Sequence, residues 1–251
     1  MKIKEILSKK LLGLIAGLIV IVGVVIFLFA YTYTVSGKIT DITNQQAVRG
    51  VKISVASHEQ TTDSQGNYKI SGIKIYQKKN LAIDPPSQFI KPTEIRLNYK
   101  GRNIQKNFTL EPTLTETVNR ILIGEQNGQY DYLWDLMYPD DQKYWGNQNN
   151  YTNLFAQVRK IQTNMSISEK SASIGQNIRQ LDTWKSPITG KEYKNITEVP
   201  INYIMVESGK EQPQNNLTHY KEINGYYHYF TSTNKDDTQK SIDAYNALTN
   251  N

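Results

Sequence analysis

Asp131 and Asp135 stand one helical turn apart, and His219 and His228 share a face of a predicted hairpin; carboxylates and imidazoles are the groups that move protons near neutral pH. Either type, seated in an apolar pocket with its acidity retuned by burial, would serve as a general acid or base. Both aspartates, however, flank the apolar positions of an amphipathic segment, which puts them on its solvated side. The two histidines are diagonal neighbours within side-chain reach. Two imidazoles still fall short of the three protein ligands typical of catalytic zinc, and no His-x-x-x-His pair or adjacent carboxylate completes a set. His58 stands alone on a strand edge or loop. Asp41 and Asp63 lack the dense acidic loop that calcium requires and read as turn residues. No residue is nominated as catalytic, cofactor-binding or metal-ligating, and no cofactor is expected.

Composition narrows the classes further. The 251 residues include no cysteine, which excludes a disulfide framework, thiolate metal sites, a cysteine nucleophile and a lipid-attachment cysteine. No Gly-rich phosphate loop, Gly-x-Ser-x-Gly elbow or His-Glu-x-x-His motif is present. Of the net charge of +6, half comes from Lys2, Lys4, Lys9 and Lys10 against Glu5, so the remainder is nearly balanced and no nucleic-acid partner is expected. Sequons begin at Asn107, Asn150, Asn164, Asn195 and Asn216, but a chain this rich in Asn produces them by composition, and a cysteine-free exported protein reads as bacterial. We take them as incidental.

The uncharged run over 11–30 matches the ~30 Å core of a bilayer at ~1.5 Å per helical residue. It is longer than the ~7 to 15 apolar residues of a cleavable signal, and Leu28 and Ala30 make a poor cleavage pair. The spacing predicts a basic cytoplasmic tail over 1–10 and an uncleaved transmembrane helix over 11–32, partnered by the lipid bilayer. The lysines before the run, against Lys38 after it, place everything downstream outside the cell membrane. Gly13 and Gly17 form a GxxxG through which two such helices could pair as a homodimer.

Over 33–112 the apolar period is that of strands with one buried face: 35–40, 51–55, 67–70, 81–83, 94–97 and 107–110, separated by turn residues such as Asp63 and Gly66. The series Val35-x-Gly37-x-Ile39-x-Asp41, Gly50-Val51-x-Ile53, Thr61-Thr62-Asp63-x-x-Gly66-x-Tyr68-x-Ile70 and Phe108-Thr109-Leu110 resembles the carboxypeptidase regulatory-like domain. That resemblance implies a transthyretin-like, seven-stranded Greek-key β-sandwich acting as an accessory or contact module. Asp84-Pro85-Pro86-Ser87-Gln88 departs from the family pattern. A related adhesin sandwich crosslinks Lys to Asn, which would nominate Lys38 and Asn107. Strand alternation puts Lys38 on the solvent face, and no crosslink is expected.

Over 113–251 the period becomes helical. Leu114, Val118, Ile121 and Leu122 share a face with Thr113 or Thr115 as cap, Gly124 and Gly128 interrupt, and further helices are predicted over 130–137 and from 151 to 158. Strands follow at 165–168, 173–181 and 196–206, then a hairpin over 219–230 about Asn224-Gly225, with a last helix over 237–248. Helices followed by an antiparallel sheet make an α+β domain. The segments 130–141, 151–155 and 224–230 resemble the nuclear transport factor 2-like cone, in its extracytoplasmic bacterial members, which implies helices packed on a curved sheet. Such cones hold either an enzyme pocket or an assembly surface. With 17 tyrosines in the chain, some are expected exposed as contact residues. The expected function is a non-enzymatic, membrane-anchored module for an envelope protein or wall polymer. A component of a secretion or conjugation machine and a small-molecule or enzymatic cone pocket are the alternatives.

Overall fold

The computed structural model describes residues 2–77, 80–98 and 101–249, and within the first helix it describes the side chains of 13–27 and 30. The architecture is mixed α/β, and the chain forms two compact units, Met1–Leu110 and Glu111–Asn251.

Helix α1 (Lys2–Ala30) takes in the basic residues, so the segment expected as a separate tail is helical and continuous with the apolar run. It stops at Ala30, and β1 (Thr32–Asp41) has already begun at the position expected to close the span. Among the described residues, no helix is long and apolar enough to cross a membrane. The expected transmembrane helix over 11–32 is therefore not supported among the described residues, and the helix ends two residues earlier than expected. The side chains of Lys2, Lys4, Lys9, Lys10, Leu11, Leu12, Leu28 and Phe29 lie outside the described set. What is described is bare: from Leu14, 72% exposed, through Phe27 the apolar side chains stand uncovered. Gly13 and Gly17 have nothing within 4 Å of where a Cβ would stand.

The rest of the unit is a two-sheet sandwich. In one sheet β1 pairs antiparallel with β4 (Asn67–Lys74) and parallel with β7 (Asn103–Gln105) and β8 (Phe108–Leu110). The other runs β3 (His58–Thr61), β2 (Lys52–Val55), β5 (Asn80–Asp84), β6 (Ile95–Arg96), all antiparallel. Alternation places Val35, Ile39, Ile53, Val55, Ile70, Leu81 and Ile83 in one core between the sheets, each contributing roughly 1.5–3 kcal/mol by leaving water. Two features correct the expected seven-stranded Greek key: among the described residues there are eight strands, and the last two run parallel to β1. β3 and β7 escape the sequence because His58–Thr61 has no apolar residue and Asn103–Gln105 has one, Ile104, leaving no alternation to read. The segment Asp84 to Gln88 turns on a Phe89 N–H bond to the Pro86 carbonyl at 3.0 Å, and this sends the Phe89 ring into the core.

In the second unit Thr113 caps α2 (Leu114–Asn127) by accepting the Glu116 N–H at 3.2 Å. α2 runs on through Gly124, where interruption was expected, because packing of Val118, Ile121 and Leu122 outweighs the ~1 kcal/mol propensity cost of one glycine. α3 (Tyr130–Leu136), α4 (Pro139–Trp145) and α5 (Gln148–Asn164) follow, then β9 (Ile167–Ile174), β10 (Arg179–Lys185), β11 (Glu192–Glu207), β12 (Lys210–Ile223), β13 (Tyr226–Phe230) and α6 (Lys235–Thr249). The sheet is wholly antiparallel. β11 pairs with β12 along one side, and along the other with β10 over its first half and β9 over its second. The hairpin has the expected register, from His219 opposite Phe230 to Ile223 opposite Tyr226. Its turn residues Asn224 and Gly225 both take positive φ, 53° and 90°, as a two-residue turn of this kind demands. Val199, Ile201, Tyr220 and Tyr229 line the face that packs on the helices.

Candidate functional site

The interior of the second unit is largely filled. Trp145, Tyr151, Tyr220 and Tyr229 are buried there, and the hydroxyls of Tyr151 and Tyr229 hydrogen-bond at 3.0 Å. The expectation that some tyrosines are exposed holds narrowly: among the described residues Tyr76 is exposed, while others such as Tyr132, Tyr226, Tyr227 and Tyr245 are half-buried. These rings line the inside because each offers large apolar area, and the Tyr151 and Tyr229 hydroxyls satisfy one another.

A void of about 80 Å³ remains beneath Tyr130, Tyr203 and Tyr220. Beside it lies an open groove of about 300 Å³, walled by the end of α2, by α5, and by β9 and β11. Glu125 borders both, one turn after Ile121 on the packed face of α2, while Glu169 enters the groove from β9. Tyr203 donates to the Glu125 carboxylate at 3.5 Å. Arg159 reaches across from α5, and its two terminal nitrogens donate to the carbonyls of Glu125 at 3.2 Å and Gln126 at 2.8 Å, closing the C-terminal end of α2. Phe155, Val158, Ile167 and Met205 supply the apolar wall.

Burial pushes the Glu125 carboxyl up to about 7, with the neighbouring Glu169 charge adding to the rise and the Tyr203 hydroxyl opposing it. Glu169 is also raised by burial, against the pull of Arg159. A carboxyl whose folded value lies above its unfolded one binds more protons in the folded state, so stability falls as pH rises from about 4.5 to about 7. Glu125→Gln is therefore expected to stabilise the protein near pH 8 and to leave it unchanged near pH 4. Because water reaches this carboxyl, the gain is held to about 1 kcal/mol or less, read from denaturation midpoints at both pH values.

The residues that the sequence offered for chemistry lie elsewhere. Asp131 and Asp135 are exposed on α3, Asp131 accepting from Gln148 at 3.1 Å, and neither reaches the groove. His219 and His228 do share a sheet face, the one opposite Tyr220 and Tyr229. His219 stacks on Trp184 at 4.2 Å and lies 3.2 Å from a Glu198 carboxylate that also accepts from Arg179. Burial lowers the pKa of both imidazoles. Asp41 accepts the Thr43 N–H at 2.8 Å, and Asp63 accepts those of Gln65 and Asn67 at 2.9 and 2.8 Å, both as turn chemistry. The Asn107 carboxamide accepts the Lys38 backbone N–H at 2.9 Å while the Lys38 side chain is exposed. His58 sits opposite Val55 where β2 meets β3. Among the described residues, no three His, Asp or Glu side chains are grouped to hold a metal ion.

No protein-family model matches the chain, and neither does any curated protein. Solved structures that share part of its path include a DUF3823 family protein from Bacteroides ovatus, at 9% identity over 77% of this chain and 83% of that one, with a TM-score of 0.23. A 9R-lipoxygenase from Cyanothece matches at 9% identity over 85% of this chain and 44% of its own, with a TM-score of 0.24. A protein described as membrane-associated and of unknown function, from Bacteroides fragilis, matches at 13% over 69% and 59%, with a TM-score of 0.23. Likenesses this distant assign no function. The carboxypeptidase regulatory-like and nuclear transport factor 2-like resemblances have no matching family model behind them, and no catalytic family is indicated.

Glu125, Glu169 and Tyr203 were not singled out by sequence reasoning. The signal for Glu125 was its place four residues after Ile121, hidden by reading Gly124 as the end of the helix. Glu169 fell between two predicted strands, and Tyr203 looked like any aromatic residue of a strand.

Proposed function

We propose that this protein is a membrane-associated module of the bacterial cell envelope, without catalytic activity, whose two folded units meet an envelope protein or wall polymer outside the membrane. The observation that carries this reading is the bare apolar surface of α1. Leu14, Leu18, Ile19, Val22 and Ile26 are all exposed, and each leaves roughly 1.5–3 kcal/mol of burial unrealised in water. A helix apolar on every side belongs in lipid or in a large protein core. Together with Leu11, Leu12, Leu28 and Phe29, the stretch is uncharged over 11–30, and the lysines preceding it favour a cytoplasmic N-terminus. Tethering of this kind acts by concentration: a unit held near the membrane meets envelope partners far more often than a free one.

Fractionation of cells producing the full chain is expected to leave it in the membrane pellet after an alkaline wash, and protease added to intact protoplasts is expected to digest 111–251. Leu18→Lys combined with Val22→Lys should release it, since each central lysine costs about 2.5–3.5 kcal/mol in a bilayer. Recovery of the unaltered protein in the soluble fraction, or a protected C-terminal unit, would sink the reading.

A further inference from the structure

We infer that the groove between α2, α5 and β9 is a binding site for a primary ammonium group carried on a short aliphatic stem, either a free amine or a lysine-type side chain. Charge complementarity argues for this occupant. Glu125 and Glu169 face one groove; among its lining residues the one cation, Arg159, is anchored on the carbonyls of Glu125 and Gln126, and its charge acts on Glu169, which leaves Glu125 without a cationic partner in the lining. The Glu169 charge adds to the cost of ionising Glu125, and an inserted cation offsets that cost.

The walls select the kind of cation. Phe155, Val158, Ile167 and Met205 offer an apolar lining for a methylene stem, and the Tyr130 and Phe155 rings, 5.5 Å apart, present aromatic faces beside the acids. A compact ammonium has three donors, enough for both carboxylates and a wall hydroxyl such as Ser168. A quaternary ammonium would leave those acceptors unmet, and a hard divalent metal demands six or more oxygens that this apolar wall does not supply. The volume, about 300 Å³, is at the small end of ligand pockets and fits a side-chain-sized group. The site lies wholly within the second unit and does not depend on where α1 resides.

The test uses the full chain in detergent micelles, titrated by calorimetry with pentylamine, with Nα-acetyl-lysine methylamide, and with pentanol as a neutral stem of the same shape. Both amines are expected to bind saturably near pH 8 and pentanol not at all. A preference for one amine over the other distinguishes a free ligand from a partner's lysine. Affinity should fall as pH drops below about 7, where Glu125 takes up a proton while the amine stays charged. Glu125→Gln and Glu169→Gln should each weaken binding about tenfold, and the double variant should lose it. Equal binding of pentylamine and pentanol overturns the inference, as does binding to the unaltered chain that is flat in pH. So does a folded double variant, checked by its melting curve, that still binds amine.

Discussion

Trp145→Ala is expected to destabilise the Glu111–Asn251 unit by about 3–5 kcal/mol, the cost of deleting a large aromatic side chain from a packed core. The indole is fully buried at the end of α4, edge-on to Tyr144 at 5.9 Å and to Tyr151 at 5.2 Å, and tilted against Phe155 at 5.6 Å. Its Nε1 has no hydrogen-bond partner, so the loss is one of apolar area and packing, not of a bond. Tyr151 also hydrogen-bonds Tyr229 across to the sheet, and removing the indole frees the Tyr151 ring on which that helix-to-strand link depends. Denaturant unfolding of the full chain in micelles, followed by tyrosine and tryptophan fluorescence, checks this. Trp145→Phe should recover more than half of the loss. An alanine variant within about 1 kcal/mol of the unaltered protein would mean that the core of this unit collapses around the gap.

Gly37→Ala is expected to cost the sandwich about 3 kcal/mol or more. Gly37 lies on β1 beside Lys106, the first of the two residues between β7 and β8, whose N–H donates to the Ser36 carbonyl at 2.8 Å. A Cβ at Gly37 would overlap the Lys106 carbonyl oxygen, lie 2.6 Å from its carbon and press the Tyr68 ring at 3.0 Å. The same carbonyl accepts the Tyr68 hydroxyl at 2.8 Å. Backbone is what stands in the way, so relief requires moving β7 and β8 off β1 and breaking their parallel ladders. Gly13→Ala, where nothing lies within 4 Å, is the matched control and should leave the unfolding midpoint unchanged. A Gly37→Ala protein that unfolds with the control would remove the close approach as an explanation for glycine at this position.

Legibility followed the range of the interactions involved. The hairpin about Asn224-Gly225 was readable to the residue because its register is set by a two-residue turn and the strands beside it. The turn at Asp63 was readable for the same reason, since the carboxylate binds N–H groups two and four residues on. β3 was not readable, having no apolar residue, nor was the parallel placement of β7 and β8, which depends on where a distant strand lies. The candidate site was legible least of all. Glu125, Glu169 and Tyr203 come from three elements, and nothing in their sequence neighbourhoods marks them as sharing a groove.

By itself, then, the sequence determined the uncharged apolar run near the start, the change from strand period to helix period near residue 113, and the absence of cysteine chemistry, because each is a property of residue type and near-neighbour spacing. The tertiary structure decided which way the tyrosines face and which acids meet. A phenol is equally at home at a surface or in a core, and only the surrounding elements choose between them. A glutamate acquires unusual acidity only when a fold brings apolar walls and a second carboxylate to it, and that encounter is written in no local stretch of the chain.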